Sequence, residues 1–212
     1  FTTKQTMAIG TAGYTAMLCV LALEENGVMP DSGPILVTGA AGGVGSVAIS
    51  ILAKLGYEVH VSTGRAEETP YLQNLGATGV IDRSELSEPS KRPLAKAQWA
   101  GAVDTVGSHT LANVLTTVMD EGCVAACGNA QGMDLPASVA PFILRGVTLR
   151  GVHSVYVPRE KRITAWERLA KDLKIEHLDE MTKTITLEEV IETANEITNG
   201  QIRGRTVVDL NN

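Results

Sequence analysis

The sequence predicts an α/β fold, a doubly wound parallel sheet followed by a small α+β tail. Strand and helix patterns alternate with short connections between residues 35 and 152, and parallel strands need crossovers of this kind. A glycine-rich stretch at residues 39–45, here called the glycine turn, separates the first strand from an amphipathic helix. After the sixth strand the alternation stops. These observations predict one sheet with helices on both faces.

The elements of the sheet follow one another at regular intervals. A helical pattern from Met7 to Glu25 comes first and predicts a leading helix within residues 1–27. The predicted strands are Ile35–Val37, Tyr57–Thr63, Gly79–Asp82, Ala102–Val106, Gly122–Cys127 and Val147–Val152. Helices are predicted from Val44 to Leu55, around Thr69–Leu75, and after Ser108, whose side chain can cap the helix.

Two stretches do not follow this alternation of strands and helices. The polar stretch Ser84–Arg92 carries Pro89 and several charges, and is predicted as a surface loop. Beyond a helix that begins at Pro158, two strand candidates, Thr182–Leu187 and Thr206–Leu210, flank a helix that Gly200 stops. We expect residues 28–174 to form one domain. Residues 175–212, here called the tail, are expected to belong to a second domain. From about Thr182 onward we expect this tail to pack as a separate small unit, away from the main face of the sheet.

Composition and charge argue against several classes of function. The 212 residues are 44% hydrophobic and 4% aromatic, and they include 21 glycines, which suits strands and helices joined by tight turns. A net charge of −6 argues against general binding of nucleic acid. Neither a secretory signal peptide nor an apolar run approaching the ~18 residues of a membrane span is predicted, so no membrane partner is expected.

The three cysteines fit a reducing compartment, which favours a cytoplasmic protein. Cys19 lies in a helical pattern, and Cys123 and Cys127 lie in an apolar strand, so all three are predicted as core residues. No Cys-x-x-Cys pair or nearby histidine cluster completes a zinc site, and no metal is expected.

The glycine turn predicts a pyrophosphate site. Ala40 stands at the first glycine position of the G-x-G-x-x-G pattern, and Gly42 and Gly45 hold the second and third. A turn between a strand and a helix lets a phosphate approach the backbone at a helix N-terminus, as in a Rossmann fold. The residues predicted to lie along the pyrophosphate are Ala41, Gly42, Gly43, Val44 and Gly45. The alternative is an ordinary tight turn.

The end of the second strand predicts NADPH as the cofactor. An acidic residue about 20 positions after the turn would bind the ribose of NAD. This region reads Ser62-Thr63-Gly64-Arg65, and the first acid is Glu67. The hydroxyls can donate to a 2′-phosphate, and a guanidinium can bind it with two hydrogen bonds. The alternative for Arg65, and for Arg83 beyond the third strand, is an ordinary solvated surface charge.

Several segments together resemble the medium-chain dehydrogenase/reductase superfamily, and within it the zinc-independent quinone oxidoreductase-like branch that includes the acrylyl-CoA reductases. The segments shared with the superfamily are Gly10 to Met17, Ala40 to Gly45, Leu75-Gly76-Ala77, Asp104 to Gly107 and Gly204 to Val208. Those typical of the branch are Ser62 to Arg65, Trp99 to Gly107 and Pro141 to Gly146. The resemblance implies that an N-terminal substrate domain is absent here. It also implies that residues 28–174 are an NADP-binding domain and that the tail is a remnant of the GroES-like substrate domain.

The resemblance also implies roles for single residues. Arg83 corresponds to a second cation over the adenine end, and Asn129 lies near the nicotinamide half. Ile143 and Ser154 match positions that contact the cofactor. From the residues alone, Asn129 is equally a turn former, Ile143 a core residue and Ser154 a strand-end hydroxyl. Some relatives offer an asparagine at the position of Gly200, where this chain has no side chain to offer.

The expected function is that of an NADPH-dependent oxidoreductase without zinc, which reduces an activated C=C bond of the acryloyl-CoA type, or a quinone, by hydride transfer. No catalytic residue is assigned, and Tyr14 is expected to pack rather than to donate a proton. Two alternatives stay open: a nucleotide-binding module without turnover, and a zinc alcohol dehydrogenase whose ligands lie in the missing region. The partners expected are a small-molecule substrate and a second copy of the chain, paired along the edge at Val147–Val155.

Overall fold

A computed structural model describes residues 1–89 and 92–210, and its main feature is a six-stranded parallel sheet in the order β3-β2-β1-β4-β5-β6. The strands are β1 (Ile35–Thr38), β2 (Val59–Thr63), β3 (Gly79–Asp82), β4 (Trp99–Asp104), β5 (Val118–Ala126) and β6 (Thr148–Gly151). The first strand is central and fully buried, and Val37 pairs with Val61 on one side and Val103 on the other. The predicted doubly wound parallel sheet is confirmed.

The helices pack on both faces of this sheet. They are α1 (Thr3–Glu25), α2 (Gly43–Lys54), α3 (Thr69–Asn74), α4 (Ser84–Ser87), α5 (Ser108–Thr117), α6 (Ala140–Arg145) and α7 (Arg159–Asp172). A short 3₁₀ turn at Ala66–Glu68 precedes α3. Apolar residues of α1, α2 and α7 fill one core with the sheet, and α5 packs into a second core on Leu36 and Val124.

The helix α1 is both long and strongly apolar. By length and composition alone it could cross a membrane, which the sequence reading above did not anticipate. However, 72% of its most apolar window is buried inside the protein. Its residues from Gly13 to Leu23 are all buried, which accounts for their apolar character.

Two local predictions were wrong, and one helix was not predicted. The first turn of residues 84–92 is the helix α4, since Leu86 is buried in the second core; Ser90 and Lys91 lie outside the described residues. Ser108 does not cap α5: Gly107 occupies that position, and Ser108 is the first helical residue, with a φ of 47°. The helix α6 was not predicted, and Arg145 at its end donates hydrogen bonds to the carbonyls of Thr116 and Val118.

The tail contains α8 (Ile175–Glu180), β7 (Thr182–Thr186), α9 (Val190–Thr198) and β8 (Arg205–Asp209). Strands β7 and β8 form their own two-stranded parallel sheet. Leu178 and Met181, which precede these two strands, are buried in the same core as α1, so the start of the tail packs against the main domain. In addition, the amide of Gly204 donates to the carbonyl of Ala41 in the glycine turn, at 2.9 Å. The tail therefore reaches the carboxyl edge of the main sheet.

Candidate functional site

A cleft of about 780 Å³ lies at the carboxyl edge of β1, β2 and β4, beside the glycine turn. Ligands of doubly wound sheets bind at this edge, where the strand order reverses. Its walls come from both the main sheet and the tail. The lining residues are Gly39, Ala40, Ala41, Gly42, Gly43, Ser62, Thr63, Gly64, Arg65, Arg83, Ser87, Thr105, Val106, Thr110, Ala130, Gln131, Ile197, Gly200, Ile202, Gly204, Arg205 and Thr206.

The glycine turn brings backbone groups to the cleft. Ala41, Gly42 and Gly43 line it, and α2 begins at Gly43, so the first amides of this helix have no intrahelical partner. Val44 and Gly45 do not line the cleft. Gly45 lies behind it, where an added Cβ would come within 2.5 Å of the carbonyl oxygen of Gly39. Gly45 therefore allows the helix to approach the turn, and the other three residues leave room for an anion above it.

Hydroxyls and guanidinium groups gather at the end of β2. The residues predicted to bind the 2′-phosphate end of the cofactor all line this one cleft: Ser62, Thr63, Gly64, Arg65 and Arg83. The side chain of Arg83 crosses Gly64 so closely that a Cβ there would lie 2.3 Å from its Nε. No Asp or Glu is among the residues that line the described cleft. This end of the cleft is therefore suited to an anion.

The floor of the cleft is held by a buried carboxylate at the end of β4. Asp104 accepts a hydrogen bond from the Thr38 hydroxyl at 2.7 Å and one from the Gly107 amide at 2.9 Å. The Thr105 hydroxyl donates to the Thr38 carbonyl at 3.0 Å. Burial raises the pKa of Asp104, and these hydrogen bonds act in the opposite direction. The network joins the ends of β1 and β4 beneath the glycine turn.

Arg205 is a residue of the cleft that the sequence reading missed. Its Nε donates to the carbonyl of Ala8 at 2.7 Å, and its guanidinium lies against Gly43, where a Cβ would come within 2.7 Å of Nη1. Burial lowers the pKa of Arg205. Beside it, Thr206 lines the cleft with a buried hydroxyl that has no partner. The segment Gly204-Arg205-Thr206 was part of the resemblance, which is the signal that could have pointed to it.

Three residues suggested by the resemblance do not line the cleft. Asn129 is exposed, and its neighbours Ala130 and Gln131 line the cleft instead. Ile143 is 73% exposed on α6. Ser154 is half-buried, and its carbonyl accepts a long hydrogen bond of 3.5 Å from Arg162. Their contact with a cofactor stays a prediction.

Tyr14 packs in the core rather than in the cleft. Its ring stacks on Trp166, with 6.2 Å between centroids, and the Arg162 guanidinium lies 4.9 Å from its ring centre. Its hydroxyl is buried without a hydrogen-bond partner. Burial raises the pKa of Tyr14, and the nearby Arg162 charge lowers it. These contacts favour the packing role.

Cysteine and histidine side chains form no metal site within residues 1–89 and 92–210. No group of three or more His, Cys, Asp or Glu side chains in these ranges could hold a metal ion. Cys19, Cys123 and Cys127 are free thiols, and Cys19 and Cys123 are fully buried. The donors present here do not fit a zinc centre.

A comparison with protein families identifies the chain. The pattern of the family described as zinc-binding dehydrogenase matches residues 43–171, which run from the glycine turn to the end of α7. The chain belongs to this family. Because the family is part of the medium-chain dehydrogenase/reductase superfamily, the resemblance inferred from the sequence is confirmed.

Similar proteins share most of this chain. Acrylyl-CoA reductase AcuI of Ruegeria pomeroyi is 53% identical over 209 residues, which are 99% of this chain and 63% of AcuI. The putative quinone oxidoreductase YhfP of Bacillus subtilis is 46% identical over 98% of this chain and 63% of its own length.

The yhdH oxidoreductase of Salmonella enterica, solved in complex with NADP, superposes with a TM-score of 0.97 at 49% identity and covers 99% of this chain and 64% of that one. The solved structure of yhfP has NAD bound and a TM-score of 0.94 at 45% identity, with the same coverage. The chain therefore spans less than two thirds of these relatives.

Proposed function

We propose that this chain binds NADPH in the cleft and forms the cofactor-binding part of a zinc-independent reductase. The observation that carries the proposal is that one cleft is lined by the glycine turn and, at its other end, by hydroxyl and guanidinium groups. Ala41, Gly42 and Gly43 would lie along the pyrophosphate, with Arg205 beside them. Ser62, Thr63, Arg65 and Arg83 would bind the 2′-phosphate through charge-assisted hydrogen bonds. The Salmonella relative solved with NADP supports this choice, and the Bacillus relative solved with NAD makes the preference worth measuring.

The reaction we propose is the reduction of an electron-poor C=C bond of the acryloyl-CoA type, or of a quinone. The nicotinamide would supply hydride. The residues of this chain bind and orient: the glycine turn fixes the pyrophosphate, and the Asp104 network holds the loop at Thr105 and Val106 under the cleft. The names of AcuI and YhfP support these two substrate classes. No proton donor is assigned.

The domain division is also part of the proposal. Residues 28–174 would form the NADP-binding domain, and residues 175–212 would be the returning part of a substrate domain. The separate β7–β8 sheet supports a boundary near Lys174. Leu178 and Met181 would then form the contact between the tail and the NADP-binding domain, since they pack in the same core as α1.

Two further parts of the proposal concern the setting of the protein. A homodimer paired along the exposed edge of β6 is supported by the exposed apolar residues around that strand, including Val155 and Tyr156. A cytoplasmic location is supported by free thiols at all three cysteines.

Cofactor titration followed by turnover tests the proposal against its alternatives. We expect this chain to bind NADPH more tightly than NADH in calorimetry. Oxidation of NADPH is then measured with an acryloyl-CoA and with a quinone, on this chain and on a version extended by the segment that its relatives carry. Turnover by the extended version alone assigns this chain the role of a nucleotide-binding module. Turnover of an alcohol that a zinc chelator abolishes would favour the alcohol dehydrogenase alternative.

A further inference from the structure

Glu68 contacts two arginines, Arg65 of the cleft and Arg203 of the tail. Glu68 follows Arg65 by three residues, at the end of the 3₁₀ turn Ala66–Glu68. The distance from Arg65 Nη1 to the Glu68 carboxylate is 3.8 Å. From the tail, Arg203 Nη1 lies 3.1 Å from the other carboxylate oxygen. The side chain of Glu68 is only 13% exposed, whereas that of Arg203 is 51% exposed. Glu68 is therefore a partly desolvated negative charge beside the cationic end of the cleft, and its two arginine contacts fix its position.

The contacts of Arg65 are long enough to be exchanged. Besides the 3.8 Å approach to Glu68, its Nη2 donates to the Ile202 carbonyl at 3.4 Å. A charge-assisted hydrogen bond to a phosphate is about 2.7–2.9 Å long and stronger than either. A phosphate at this end would draw Arg65 away from Glu68. Arg203 would stay in place, since its guanidinium also lies 4.7 Å from the ring centre of Tyr71.

We infer that Glu68 sets how tightly the chain binds a 2′-phosphate, and that it lowers this affinity by acting through Arg65. Its carboxylate competes with the phosphate for the guanidinium, and its negative charge also repels the phosphate. It is thus a positioning residue for Arg65 and not a ligand itself. The inference rests on the proposed binding of NADPH, and it concerns selectivity between the two dinucleotides rather than the reaction.

The test replaces Glu68 with the neutral residue of the same shape. Glu68→Gln keeps an oxygen for Arg203 and removes the charge. The matched control is Glu67→Gln, which changes the net charge equally at an exposed neighbour, whereas Glu68 is the residue that pairs with Arg65. The probes are NADPH, NADH, 2′,5′-ADP and 5′-AMP, titrated by calorimetry at low and at high salt.

We expect Glu68→Gln to bind NADPH and 2′,5′-ADP about three- to tenfold more tightly than the original chain at low salt. Binding of NADH and 5′-AMP should change less than about twofold, and high salt should reduce the gain. A merely structural role would not separate ligands that differ by one phosphate.

Each other outcome has a definite meaning. If Glu67→Gln tightens binding as much as Glu68→Gln does, or if Glu68→Gln leaves the affinity for 2′,5′-ADP unchanged or weaker, the inference is overturned and the proposed function stands. If the original chain does not distinguish 2′,5′-ADP from 5′-AMP, the proposed NADPH preference is overturned, and the inference with it.

Discussion

At the scale of single residues, Arg65 is the side chain on which the proposed cofactor preference depends most. Its guanidinium lines the cleft, and within the described part of the chain it makes long contacts to Glu68 and to the Ile202 carbonyl. Hydrogen bonds to a charged group contribute roughly 1.5–3 kcal/mol. Arg65→Ala should therefore weaken NADPH binding by about tenfold to over a hundredfold, since ~1.4 kcal/mol is a factor of ten. NADH, which lacks the phosphate, should bind almost as before.

The same titration includes two comparisons. Arg83→Ala should act in the same direction but less strongly, because its side chain lies across Gly64 rather than free in the cleft. Arg159→Ala removes an exposed arginine at the start of α7, outside the cleft, and should leave both affinities unchanged. Equal losses for NADPH and NADH in Arg65→Ala, or no loss for either, would falsify the assignment of Arg65 to the 2′-phosphate.

At the scale of elements, the glycine turn couples the fold to the site. A Cβ at Gly45 would lie 2.5 Å from the Gly39 carbonyl oxygen and 2.8 Å from Ala40 Cα, and both are backbone atoms that must move. Gly45→Val should therefore destabilise the chain by about 1–3 kcal/mol. It should also weaken NADPH and NADH binding by similar factors, since the displaced turn serves the pyrophosphate that both share. Denaturant unfolding and calorimetry measure the two effects.

Gly151→Val is the matched control, because nothing lies within 4 Å of a Cβ built at Gly151. It should leave both affinities within about twofold of the original chain. A loss confined to NADPH in Gly45→Val would contradict the prediction, since it would place the effect at the 2′-phosphate end.

The sequence predicted the elements whose local pattern and tertiary setting agree. The apolar run at β1 and the glycines after it need no distant partner to be recognised, and the strand order places them at the centre of the sheet. The helices α4 and α8 are short, and their burial depends on contacts of Leu86 and Leu178 that the sequence does not reveal. The cleft residues at the end of β2 could also be predicted, because their pattern is local and needs no distant partner to be recognised. Arg205 was missed because its place beside Gly43 depends on how the tail folds against α1.

At the scale of the whole molecule, the open edge of the main sheet predicts association. Strand β6 ends the sheet in the described structure, and an unpaired edge is a template for another strand. Large apolar residues are exposed on both sides of it in the chain. They are Val139, Ile143, Leu144, Val155 and Tyr156. Pairing of two copies along β6 would extend the sheet and remove these side chains from water together.

We therefore expect light scattering at micromolar concentration to give a mass of about twice the 22.4 kDa of one chain. Val155→Asp combined with Tyr156→Asp should shift the mass toward that of one chain, because the new charges lie on the proposed contact. The two side chains are 68% and 86% exposed, so their replacement does not disturb the core. Ile191→Asp is the control, since Ile191 is 78% exposed on α9 in the tail and should leave the dimer intact. A monomeric mass for the original chain, or equal dissociation by the control, would show that β6 is not the contact between copies.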